Sequence, residues 1–113
     1  FPLTPWNEYG KDRTFDIRDS YENNPSMNRD TSALVLGMSC ALWADGGVRE
    51  DMIDRRLFPR ILAIAEQMWH RGDYLAFEQF YGKVKERKCW FERLGYTFGP
   101  GLRSEVPEDY RWD

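Results

Sequence analysis

Arg56-Leu57-Phe58-Pro59-Arg60-Ile61-Leu62-Ala63-Ile64-Ala65-Glu66-Gln67-Met68-Trp69 is the stretch that decides the fold class of this chain. Met52, Ile53 and Leu57 ahead of Pro59, then Ile61, Ile64, Ala65, Met68 and Trp69 beyond it, recur at spacings of three and four, the period of one helix face. Proline suits the first turn of a helix and damages its interior. The pattern therefore predicts a short helix over Glu50 to Arg56 and a longer one from Phe58 to Arg71, capped by Gly72.

Upstream, Ala33-Leu34-Val35-Leu36-Gly37-Met38 is an almost unbroken apolar run, as expected of a strand covered on both faces in a parallel sheet. Such a strand needs partners that the rest of the chain does not offer. It leads into Ser39-Cys40-Ala41-Leu42-Trp43-Ala44-Asp45, closed by Gly46-Gly47, which reads as a strand end and the loop after it. Downstream, Asp73 caps a third helix over Tyr74 to Leu94, with Leu75, Phe77, Phe80, Tyr81, Val84, Cys89, Trp90, Phe91 and Leu94 as its apolar set and Gly95 as its stop.

The flanks are irregular. Residues 1–32 mix Pro, Asn, Asp and Arg with single aromatics and show neither period, so they read as a long loop for which Trp6, Tyr9, Phe15 and Tyr21 are anchors. Residues 96–113, with Gly99-Pro100-Gly101 and Pro107, read as an extended tail. The chain opens at Phe1-Pro2-Leu3 without a methionine, which suits a piece of something longer.

Composition narrows the function classes. The 113 residues carry a formal charge of -3 and interleave acids with bases, which argues against nucleic acid as a partner. Aromatic residues make up 16% of a chain whose mean hydropathy is only -0.71, so large rings must supply much of the apolar burial. No apolar run approaches the ~20 residues that cross a bilayer, and no signal segment opens the chain. Cys40 and Cys89 form no metal or redox spacing and read as buried free thiols. His70, at a helix end beside Trp69, reads as a partner of the helix dipole. No nucleophile elbow, phosphate loop or zinc spacing is present, and the carboxylates read as a solvated, salt-bridged face.

Gly37 to Asp45 followed by Arg56 to Trp69 resembles the last strand and following helix of the family-20 glycoside hydrolases, in which the run reads G-G-x-A-C-x-W-x-E, then R-L-x-P-R-x-x-A-x-A-E-x-x-W. Thr4-Pro5-Trp6, Tyr21-Glu22-Asn23-Asn24-Pro25 and Arg93-Leu94-Gly95-Tyr96 resemble flanking segments of the same family. The resemblance implies the C-terminal portion of a (β/α)₈ barrel of the β-N-acetylhexosaminidase kind: one or two strands with two or three helices, the last strand and its active-site loop spanning 33–45 and the helices 49–95. Folded alone, the segment is expected to be mainly α.

The same resemblance assigns Trp43 to stacking on the sugar, Asp45 to its hydroxyls, Trp6 to the pocket wall, and Tyr9, more remotely, to the acetamido group. Asp45 stands where the family has glutamate, and Asn7 stands where it has tyrosine. The catalytic Asp-Glu pair of the family belongs to an earlier strand, and the chain contains no Asp-Glu dipeptide. The implied partner is a terminal N-acetylhexosamine, with no cofactor or metal and no membrane, in a secreted, periplasmic or lysosomal protein. The competing reading is a noncatalytic helical module that self-associates through the 33–38 strand.

Overall fold

The structure is a computed structural model that describes residues 16–22, 37–42, 48–70 and 74–106. Its elements are α1 (Ile17–Glu22), α2 (Glu50–Leu57), α3 (Arg60–Trp69), α4 (Phe77–Arg93) and a 3₁₀ turn (Arg103–Glu105). Among the described residues there is no strand element, so the mainly helical expectation for the separate segment holds. Of the expected strand, 33–36 lie outside the described residues, while Gly37 and Met38 carry no regular structure.

α1 lies inside the stretch read as loop, and its six residues are too few to show a period. What makes it a helix is a reciprocal cap. The Asp19 amide donates to Asp16 Oδ1 at 2.8 Å and the Asp16 amide to Asp19 Oδ2 at 3.2 Å, an aspartate version of the capping box. Its inner face, Ile17, Ser20 and Tyr21, is then buried.

α2 and α3 form where the helical period predicts them, with Pro59 between. Phe58 is held extended, at φ -90° and ψ 142°, as a residue before proline prefers. Its N–H still closes α2 by donating to the Asp54 carbonyl at 2.8 Å. α3 therefore starts at Arg60, two residues later than expected, and ends at Trp69 with His70 as its C-cap. Gly72 and Asp73, expected as caps, lie outside the described residues.

α4 begins at Phe77, later than Tyr74, and ends where the glycine predicts. Gly95, at φ 94°, donates to the Glu92 carbonyl, and Tyr96 donates to that of Phe91, both at 3.1 Å. These are the two bonds of a Schellman cap, whose left-handed position favours glycine. The buried set is Phe77, Phe80, Tyr81 and Val84, spaced by three and four. Cys89, Trp90 and Leu94 fall off that row and are exposed, which corrects their placement on the apolar face. It also corrects the reading of two buried thiols: both are free, but Cys40 is half-buried and Cys89 is exposed.

The core gathers Ile17, Tyr21, Ala63, Phe77, Phe80, Tyr81 and Val84, with Leu62, Phe98 and Leu102 against it. α1 packs mainly on α3 and less on α4. The tail is not simply extended. It returns across the helices, stacking Phe98 on Phe58 with ring centroids 5.8 Å apart, and Gly99 donates to the Phe58 carbonyl at 3.0 Å. Gly101 then accepts the Ile17 N–H at 2.9 Å.

Gly101 is tightly placed. A Cβ there would sit 2.6 Å from the Tyr81 hydroxyl oxygen and 3.2 Å from two ring carbons. Tyr81 has little room to yield, because its ring is buried and its hydroxyl donates to Glu105 Oε2 at 2.6 Å. Gly101→Ala is expected to cost about 1–3 kcal/mol in chemical denaturation. The cost should shrink in a Tyr81→Phe background, where the nearest clashing atom is gone; an equal cost in both backgrounds would refute this account.

Candidate functional site

Trp43, Asp45, Trp6 and Tyr9 lie outside the described residues. The residues on either side of 43–47 are described. Ala41 occupies a single β-bridge position and Leu42 is half-buried. Helical structure resumes after Val48 and Arg49, with Glu50 and Asp51 at the positive end of α2 and Arg55 and Arg56 at its negative end.

α2 and α3 carry a buried polar cluster that the sequence reading did not single out. Arg56 and Arg60 are 4% and 0% exposed, and Arg60 Nη2 donates to the Arg56 carbonyl oxygen. One and two turns on, Ile64 and Gln67 complete the same inner row of α3. Gln67 Nε2 donates to the Tyr21 carbonyl at 3.0 Å, and Tyr21 in turn donates through its hydroxyl to the Leu75 carbonyl at 2.7 Å. The available signal was Arg60 and Gln67 at core positions of an otherwise apolar period. A buried polar side chain is retained where it has such partners.

A second cluster ties α1 to the returning tail. The Arg103 N–H donates to Asp16 Oδ2 at 3.3 Å, and Arg103 Nη2 lies 3.1 Å from Asp19 Oδ2. Burial is the main cause holding the Asp19 carboxyl above its usual range. The Asp16 amide hydrogen bond opposes this, the Asp16 charge adds to it, and Arg103 pulls the other way. Tyr81 is pushed well above the ordinary phenol range, first by burial and then by the Glu105 carboxylate it bonds.

His70 is placed as its position predicts, at the C-terminus of α3. Its N–H donates to the Glu66 carbonyl at 3.1 Å, Nε2 lies 2.9 Å from Glu66 Oε1, and the Tyr74 hydroxyl donates to its carbonyl at 3.0 Å. That is helix-terminus chemistry. The interleaved charges likewise pair at the surface, as Arg18 does with Glu22 and Glu78, Arg49 with Asp51, and Lys88 with Glu92. Among the described residues no group of three His, Cys, Asp or Glu side chains is arranged for a metal, and no helix is long and apolar enough to cross a membrane. Among the described residues an open groove of about 440 Å³ runs between α3 and α4, floored by Leu62, Phe80 and Val84 and edged by Trp69, Trp90 and Phe91.

Comparison with known proteins supplies what this geometry leaves open. The pattern of the glycosyl hydrolase family 20 catalytic domain matches residues 3–72. A crystal structure of β-N-acetylhexosaminidase from Bacteroides fragilis superposes with a TM-score of 0.86 at 57% identity, covering 100% of this chain and 24% of that one. The β-hexosaminidase subunit beta of Felis catus is 25% identical over 109 residues, 94% of this chain and 20% of that protein. The β-N-acetylhexosaminidase of Cellulomonas fimi is 25% identical over 85 residues, 74% of this chain and 17% of that protein.

The chain is thus part of a glycoside hydrolase catalytic domain. It belongs to glycosyl hydrolase family 20. It spans a fifth or less of the length of these curated relatives.

The Asp16–Asp19–Arg103 cluster gives a pH test. A carboxyl whose folded pKa lies above its unfolded value binds its proton more tightly in the fold, so its contribution to stability falls as pH climbs between the two. Asp19→Asn keeps the acceptor oxygen and removes the titration. The stability difference, wild type minus Asp19→Asn, is expected to decline in urea melts as pH rises above about 4, since an unperturbed Asp titrates near 3.9. A difference that rises over that range would contradict the upward shift.

Proposed function

We propose that this chain is the C-terminal portion of a β-N-acetylhexosaminidase-like glycoside hydrolase, and that it supplies sugar-binding residues to a pocket whose acid catalyst lies elsewhere in the protein. The observation that carries the reading is the family 20 catalytic-domain match over residues 3–72, which spans Trp6, Tyr9, Trp43 and Asp45. The names of the three relatives agree on the chemistry, and a terminal N-acetylhexosamine is the substrate class we assign.

In a (β/α)₈ barrel the active site is built at the C-terminal ends of the strands and the loops after them. Trp43 and Asp45 sit in sequence where the last strand would give way to its loop, and Trp6 and Tyr9 follow the preceding one. The indole of Trp43 offers an apolar face to the underside of a pyranose, while the Asp45 carboxylate accepts charge-assisted hydrogen bonds from its hydroxyls. Asp45 is one methylene shorter than the glutamate of the family pattern, and Asn7 replaces a tyrosine, so hydroxyl and acetamido recognition are where this protein would differ from its relatives. Cleavage assisted by the substrate's own acetamido oxygen departs from the two-carboxylate scheme. It still needs an acid, and the absence of an Asp-Glu dipeptide leaves these 113 residues without the pair the family uses.

The test has two arms. The isolated chain should not hydrolyse a chromogenic N-acetylglucosaminide and should bind N-acetylglucosamine or its thiazoline no better than millimolar in isothermal titration. Grafted in place of the matching quarter of the Bacteroides fragilis enzyme, it should support hydrolysis. There Trp43→Ala or Asp45→Ala should lower kcat/KM by roughly tenfold to a hundredfold, the loss of about 1–3 kcal/mol of transition-state binding. Turnover by the isolated chain would overturn the assignment of catalysis elsewhere, and undiminished kcat/KM in both variants would overturn the binding roles.

A further inference from the structure

The α3 helix is apolar over more of its circumference than this chain covers. Arg60, Ala63, Ile64 and Gln67 form the buried side. Ile61, Ala65 and Met68 lie one turn apart along another face, where Ile61 is half-buried and Ala65 is exposed. Met68 is 50% exposed and Trp69, at the end of the same helix, is 86% exposed. Its polar Arg60 and Gln67 lie on the side this chain buries, while Ile61, Ala65 and Met68 turn away from it, so the apolar stripe that ordinarily faces an interior is left largely outside.

We propose that the Ile61–Ala65–Met68 face, ended by Trp69, is a packing face for the remainder of the family 20 catalytic domain, the polypeptide that the relatives have beyond the part this chain matches. The inference rests on the functional reading above, and it adds which surface closes the domain.

Two observations choose this occupant. The family match ends at residue 72, so all of α3 falls within the catalytic-domain pattern while α4, with its exposed Trp90 and Leu94, falls outside it. This chain covers 24% of the solved relative, which leaves three quarters of that polypeptide to cover such a face. The face itself is aliphatic: Ile61, Ala65 and Met68 present no donor or acceptor, so it suits apolar side chains better than sugar hydroxyls. A second copy is a poorer match, because a stable dimer needs roughly 800 Å² per partner, about 20–30 residues a side, and this face offers four side chains, one of them already half-buried.

One substitution measured in two settings tests this. Trp69→Glu places a charge on a side chain that is exposed in the isolated chain, so its Tm there should be unchanged within about 2 °C, as for surface substitutions away from special features. In the full-length graft into the Bacteroides fragilis enzyme, the same substitution should lower Tm by about 5 °C or more, because the charge is then buried. Trp90→Glu should be near neutral in both.

Equal effects of Trp69→Glu in the two settings would overturn the proposal. So would a concentration-dependent dimer of the isolated chain that Trp69→Glu dissociates, or an N-acetylglucosamine oligosaccharide that binds the isolated chain and loses affinity on that substitution. If the graft does not fold, the chain is co-expressed with the relative shortened by its matching quarter and captured through a tag. Recovery of the shortened relative that Met68→Glu and Trp69→Glu abolish supports the proposal; no recovery, or recovery indifferent to both, overturns it. An inactive graft that still shows the Tm difference would sink the sugar-binding assignment and leave this packing face standing.

Discussion

Tyr21 is the side chain on which the described structure depends. Its ring lies flat against Phe80 at 4.4 Å between centroids, its hydroxyl donates to the Leu75 carbonyl, and its own carbonyl accepts from Gln67. One residue of a six-residue helix therefore engages α3, α4 and the chain between them. Stacked aromatic pairs contribute about 0.5–1.5 kcal/mol beyond the area they bury. The hydrogen bonds matter more through what their loss would leave behind, a buried carbonyl or amide without a partner. α1 has too few residues to be helical by itself, so its existence and the packing of Tyr21 are one event.

The returning tail completes this arrangement from the other side. Gly95 turns the chain out of α4, Phe98 stacks on Phe58 at the α2–α3 corner, and Gly101 passes close enough to Tyr81 to accept the first amide of α1. Arg103 then bridges the two capping aspartates. Long α4 thus carries short α1 at its start and the tail at its end. The charged pairs outside this framework are exposed and add little to stability.

The helices were legible because their signals are local. Pro59 between two apolar rows fixed the break between α2 and α3, and Gly95 fixed the end of α4, since each restricts the backbone whatever surrounds it. Sequence alone starts α3 at Phe58 and α4 at Tyr74, earlier than the structure does, because apolar residues that pack beside a helix look the same in sequence as those within it. Trp90 and Leu94 look like core residues of α4 in the sequence for a similar reason: being apolar does not say which face is covered. Of the candidate site, the family pattern around Trp43 and Asp45 was legible only as resemblance, since one tryptophan and one carboxylate carry no mechanism without the pocket around them.

By itself, then, the sequence determined three helices with their proline and glycine punctuation, and membership of a glycoside hydrolase family through the Gly37–Trp69 run. Tertiary structure alone decided that Ile17–Glu22 is helical, that 96–106 folds back, that Arg56, Arg60 and Gln67 are buried, and that Met68 and Trp69 face outward. The division has a physical cause. Backbone restriction and periodicity act within one turn and can be read along the chain, whereas burial of a charge or exposure of an indole depends on what stands opposite, and that is set by residues far away in sequence.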